Sequence, residues 1–190
     1  MHRNNVPVRP VYYVFSALFA ALIAVSGYFV IPLPGGVPIV LKNLFVVLSG
    51  TILGGTYGAL SVVLLLAAGV LGLPVFVIPG GLGVFLTNVG GYLIGYLVAS
   101  LTAGLIAGVP KTDERKTLKK LWIKISIASF IGFALILVSG SLYMIVLNSI
   151  SVQAAFTAGI VPFIAVDMIK LVISIPMAVK LRPIALRYLN

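Results

Sequence analysis

The sequence has 190 residues, of which 61% are hydrophobic and only 8% charged, too few polar groups to coat a water-facing globular domain, so a soluble enzyme or DNA-binding module is excluded and a bilayer is the expected solvent. The net charge of +10 comes from basic clusters set between apolar runs, not from a basic face, so it reads as a topology signal and not as a nucleic-acid site. There is no cysteine and the single histidine is His2, which leaves no thiol chemistry and no protein-ligated metal or metal cofactor to expect.

An apolar helix needs about 20 residues to cross roughly 30 Å of hydrocarbon, and the chain divides into six such spans. Span one covers residues 12–31, YYVFSALFAALIAVSGYFVI, and stops at Pro32, Pro34, Gly35, Gly36 and Pro38. No small-residue cleavage site precedes those breakers, so the span is expected to be retained and not cleaved as a signal peptide. No charge separates Lys42 from Lys111, but glycines at 54, 55 and 58, then Pro74, Pro79, Gly80 and Gly81, interrupt the run. Spans two, three and four fall at 39–53, 59–73 and 84–106. The basic segment PKTDERKTLKK ends that run within a polar loop at 108–120. Spans five and six follow at 121–147 and 155–179.

Lysine and arginine accumulate in cytoplasmic loops, and every basic residue except Lys42 and Lys170 lies before span one, around the 108–120 loop or after span six. Four spans, then two, separate those groups, so both termini are expected in the cytoplasm. The reading is an all-α membrane protein: a tail at 1–11, a six-helix transmembrane domain at 12–181 and a tail at 182–190. Trp122, beside the basic loop, suits an interface anchor.

Apart from Lys124, beside the basic loop at the start of span five, three charges remain inside spans, Lys42, Asp167 and Lys170, each costing about 2.5 to 3.5 kcal/mol at a helix centre unless it finds a partner or water. Asp167 and Lys170 are three apart and share a helix face. They form either a neutralising pair that fixes packing or a site where Asp167 accepts from N–H donors of a solute and Lys170 meets a negative group. Lys42, near the outer end of span two, either snorkels to the surface or meets the solute. Asn43 and Asn88 each bring a donor and an acceptor into an apolar setting, as helix bridges or as ligand contacts. Asn88 lies in GGLGVFLTNVGGYLIG, where Gly83 and Gly91 expose backbone for close approach and Tyr92 joins Tyr143 as an aromatic wall or packing residue. Gly91 and Gly95, like Gly104 and Gly108, are small-xxx-small pairs. Ala17, Ala20, Ala21 and Ala24 form a smooth stripe on span one, for packing inside the bundle or for a partner. Asp167 is the only intramembrane carboxylate and no GxxxxGK[ST] occurs, so neither paired-carboxylate catalysis nor an ATPase is expected in this chain. Rings of repeated polar residues, as in a channel, are lacking as well.

The segments ALFAALIAVSGYFVIPLPGGVPIVLKNLFVVLSG, YGALSVVLLLAAGVLGLPVF, GGLGVFLTNVGGYLIG and VPFIAVDMIK, in this order, resemble the BioY family, the biotin-specific S components of energy-coupling factor transporters. The resemblance implies an S-component bundle in the cell membrane that captures biotin from outside and docks on a T component and two ABC-type ATPases, which hydrolyse the ATP. It implies that Asp167 and Lys170, matching the family's Asp-x-x-Lys, line the biotin site, and that Asn43 matches the Asn of the span-two motif. Two positions depart from the pattern: Asn88-Val89 stands where Pro-Thr is usual, and Lys42 where Gln is common. A ureido ring offers two N–H donors and one carbonyl, which Asp167 and an asparagine, Asn88 in the first instance, complement. The valerate carboxylate suits Lys170 or Lys42. Ala17, Ala20, Ala21 and Ala24 would then face the T component.

Overall fold

A computed structural model describes residues 10–31, 39–76, 81–111 and 118–189. Arg3, Arg9, the proline-rich stretch at 32–38, residues 77–80 and the stretch with Arg115 and Lys116 lie outside them. Helix α1 runs Pro10–Ser26. It stops short of the expected span end because Gly27 and Tyr28 turn their N–H groups to the carbonyls of Ala24 and Val25, tightening the last turn. The chain then enters strand β1, Val30–Ile31, antiparallel to β2, Ile39–Val40, with Val30 opposite Val40 and Ile31 opposite Ile39. Helices α2, Lys42–Leu53, and α3, Gly55–Val70, follow. Next come a short 3-10 turn at Leu82–Leu86 and α4, Gly90–Ala107. Helix α5 is Leu118–Asn148, α6 is Val152–Gly159 and α7 is Val161–Leu189. Helices α4, α5 and α7 are long and apolar enough to cross a membrane, while α1, α2 and α3 are apolar but shorter.

Backbone contact between α2, α3 and α4 makes the centre of the bundle. Gly54 (φ 87°) lets α2 turn directly into α3, a left-handed conformation that a side chain would strain. A Cβ on Gly50 would fall 2.2 Å from the Ser100 carbonyl oxygen, and one on Gly104 2.4 Å from the Gly55 nitrogen. Serines join the seam, Ser49 Oγ lying 3.0 Å from Ser100 Oγ. Of the predicted small-residue pairs, Gly91 and Gly95 abut α5 at Tyr143, Ser139 and Ile136, whereas Gly108 (φ 65°) caps the end of α4 instead of packing within it.

Span six is divided. Pro162 has no N–H for the carbonyl of residue 158, so the helix restarts at Val161, where proline is tolerated in the first turn. At its other end α7 continues well past the expected limit, in place of a separate tail from residue 182. The reason is Arg182, which is 0% exposed and donates to the carbonyls of Thr51, Ala107 (3.3 Å) and Gly108 (3.1 Å). Carbonyls in the last turns of α2 and α4 lack helical partners and carry partial negative charge, so one guanidinium caps two helices and draws α7 along them.

Candidate functional site

Asp167 and Lys170 project from the same face of α7 as three-apart spacing requires, with Lys170 Nζ donating to Asp167 Oδ1 at 2.7 Å and both side chains at most 4% exposed. Asn43, in the first turn of α2, points its amide at the same carboxylate. Its Nδ2 lies 3.5 Å from Oδ1 and 3.4 Å from Oδ2, the long limit of a hydrogen bond. Across the bundle on α4, the hydroxyl of Tyr96 donates to Asn43 Oδ1 at 3.0 Å. Four polar side chains from three helices therefore meet in an apolar core. Among the described residues Asp167 Oδ2 has only the long Asn43 contact, so it keeps acceptor capacity, and the Asn43 amide hydrogens keep donor capacity.

Two apolar hollows flank the pair. One, of about 310 Å³, lies between the β1–β2 ribbon and α7 and is lined by Phe29, Val30, Ile31, Val40, Leu41, Val166 and Lys170. The other, of about 240 Å³, opens between α5 and α7 and has Asp167 in its wall among Phe133, Leu137, Ile164 and Leu171. No group of three or more histidines, cysteines and acids is found among the described residues.

Lys42 does not snorkel outward. It is 3% exposed, lies across Gly27 at the end of α1, donates to the Val75 carbonyl and sits 5.2 Å from the centre of the Phe76 ring. Asn88 does not join Asp167 either. Asn148 Nδ2 donates to its Oδ1 at 2.7 Å, tying the 3-10 turn to the end of α5, and the Tyr143 hydroxyl donates to the Phe85 carbonyl in the same region. Tyr92 is buried and donates to the Gly159 carbonyl at 2.8 Å, at the break between α6 and α7. Gly91 lets α4 approach Tyr143, while Gly83 faces open space. Ala17 and Ala21 are exposed, and Ala20 and Ala24 half-buried, so the stripe looks out from the bundle. Trp122 is also exposed. Tyr96 was absent from the sequence reading, although its four-residue spacing from Tyr92 puts both hydroxyls on one face of α4.

A family model described as the BioY family matches residues 2–187. The chain belongs to the BioY family. Among its relatives, the biotin transporter BioY of Thermotoga maritima is 35% identical over 170 residues, covering 88% of this chain and 93% of that protein. The biotin transporter BioY of Rhodobacter capsulatus is 50% identical over 80 residues, 41% of this chain and 42% of that one. A crystal structure of the S-component for biotin from an ECF-type ABC transporter superposes with a TM-score of 0.78 at 27% identity, covering 96% of this chain and 95% of that one. The BioY assignment extends over nearly the whole length, so every residue of the polar cluster, Asn43, Tyr96, Asp167 and Lys170, lies within the matched region.

Proposed function

We propose that this chain is the substrate-binding membrane subunit for biotin uptake, an S component that binds the vitamin on the outer side of the cell membrane and delivers it inward. The observation that carries the reading is the buried Asp167–Lys170 pair with Asn43 beside it: an acceptor and donors held in an apolar bundle whose family members are named as biotin transporters. Asp167 Oδ2 accepts a ureido N–H and Asn43 Nδ2 donates to the ureido carbonyl, taking the place first assigned to Asn88. Lys170 holds the Asp167 charge. Lys42 has a carbonyl and a ring for company but no carboxylate among the described residues, and so has charge to offer the valerate carboxylate. Gly91, Tyr92 and Tyr143 shape the surrounding wall, with Gly83 at the outer rim.

Six spans with both termini in the cytoplasm account for the placement of the charges. Arg182 joins the end of α4 to α7, so Lys111, Lys119, Lys120 and Lys124 lie at the same end of the bundle as Lys180 and Arg187. Asp167 lies 15 residues earlier on α7, about 22 Å away at 1.5 Å per residue, toward the outer face. Transport is driven by ATP hydrolysed in two ABC-type partner ATPases, and the exposed Ala17 and Ala21 of α1, with Ala20 and Ala24, offer the smooth face for the T component.

Titration of the purified protein in detergent with biotin, desthiobiotin and biotin amide tests the reading. Biotin binds saturably, and the amide binds about tenfold more weakly because it lacks the charge that meets Lys42. In cells with the energising module, Ala17→Trp with Ala21→Trp abolishes uptake while binding by the purified protein is kept. Absence of saturable biotin binding by the unmodified chain overturns the assignment.

A further inference from the structure

The amide of Asn43 can present either its oxygen or its NH₂ to a ligand, and its neighbours decide which. Turned the other way, Oδ1 would take the position now 3.5 Å from Oδ1 and 3.4 Å from Oδ2 of Asp167, lone pair against negative charge. The orientation is therefore fixed with NH₂ toward the carboxylate, and Oδ1 is left needing a donor inside the core. Tyr96 supplies it at 3.0 Å from a ring that is 3% exposed. This hydroxyl bond is the short one that Asn43 makes, since its contacts with Asp167 are both at the long limit. With Oδ1 turned to Tyr96, Asn43 presents only its NH₂ group on the side of Asp167, while Asp167 Oδ2 can only accept. An acceptor beside a donor matches the N–H and C=O edge of a cyclic urea.

We infer that Tyr96 is a specificity-determining positioning residue: by holding Asn43 Oδ1 it makes the site select a ligand with a carbonyl oxygen next to an N–H. The inference deepens the biotin reading and rests on it. Tyr96 touches no ligand atom; it acts through Asn43.

The test compares the affinities of biotin and 2-iminobiotin, whose ring at neutral pH is a guanidinium with a donating C–NH₂ in place of the ureido carbonyl oxygen, for the unmodified protein and Tyr96→Phe in detergent. The unmodified protein prefers biotin. Loss of the hydroxyl weakens biotin binding about tenfold, the scale of one buried hydrogen bond left unmade, and weakens 2-iminobiotin binding much less, so the preference shrinks. Equal weakening of both ligands assigns the hydroxyl to packing and overturns the inference, as does a Tyr96→Phe protein that binds biotin normally or does not fold. An unmodified protein without saturable biotin binding removes the underlying reading, and the inference falls with it, a result distinct from an unchanged preference in a protein that binds.

Discussion

A buried acid and a buried amine on one helix serve two ends that can be separated by substitution. Removing one partner of such a pair leaves an uncompensated charge and costs about 3 to 5 kcal/mol, whereas replacing both by neutral groups of similar volume is close to neutral. Asp167→Asn alone therefore strands Lys170 and lowers the unfolding temperature in detergent. Asp167→Asn with Lys170→Met recovers most of that loss, yet still binds biotin at least about a hundredfold more weakly than the unmodified protein, since the charged acceptor is gone. Thermal unfolding and calorimetric titration of the three proteins check this; recovery of binding together with stability would assign the pair to packing alone. Much of this cluster is legible in the sequence, because a charge in a hydrophobic span is costly wherever it points and a spacing of three fixes a shared face. Tyr96 is not legible in the same way. A tyrosine in an apolar helix costs little, and its meaning lies in a partner 53 residues away on α2.

At the scale of elements, the two feet of the β1–β2 ribbon are tied to one segment. Tyr28, just before β1, donates through its hydroxyl to the Pro74 carbonyl, and Lys42, just after β2, donates to Val75 and lies against Phe76. Phe76 in turn packs on Gly69 of α3, where a Cβ would fall 2.0 Å from the ring. The ribbon that walls the 310 Å³ hollow is thus strapped to the chain after α3. A charge-assisted hydrogen bond and a desolvated cation–π contact each contribute on the order of 1 to 3 kcal/mol. Lys42→Met keeps the apolar stem and deletes both, so amide hydrogen exchange at Val75 and Phe76 in the ligand-free protein quickens about tenfold or more while α5 is unchanged. Exchange that stays at its original rate would show that the strap holds without the ammonium. Position along a helix is readable from sequence, and Lys42 lies in the first turn of α2. Its rotation inward toward Gly27 is not, because it depends on the ribbon and on Phe76, which converge only in the folded chain. The break at Gly159 was likewise masked by hydrophobicity, although Pro162 marks it.

For the molecule as a whole, the distribution of charge is the property that sets its orientation. Apolar side chains face outward on several helices, Val14 and Leu18 on α1, Phe130 and Val138 on α5, and Ile169 and Val172 on α7. Lys119, Lys120, Lys124, Lys180 and Arg187 are exposed at the end where Arg182 gathers the termini of α2, α4 and α7. Basic residues are retained on the cytoplasmic side, so the topology proposed above predicts that this end faces inward. The opposite end carries Leu71 after α3 and Val152 at the start of α6, which are 81% and 72% exposed. Because the chain has no cysteine, each position can be reported by a single introduced thiol. In intact cells a membrane-impermeant thiol reagent labels Leu71→Cys and Val152→Cys, while Lys119→Cys and Arg187→Cys react only after the membrane is opened. Labelling of Lys119→Cys and Leu71→Cys from the same side would require an even number of crossings between them and is incompatible with α4 as the one span that separates them.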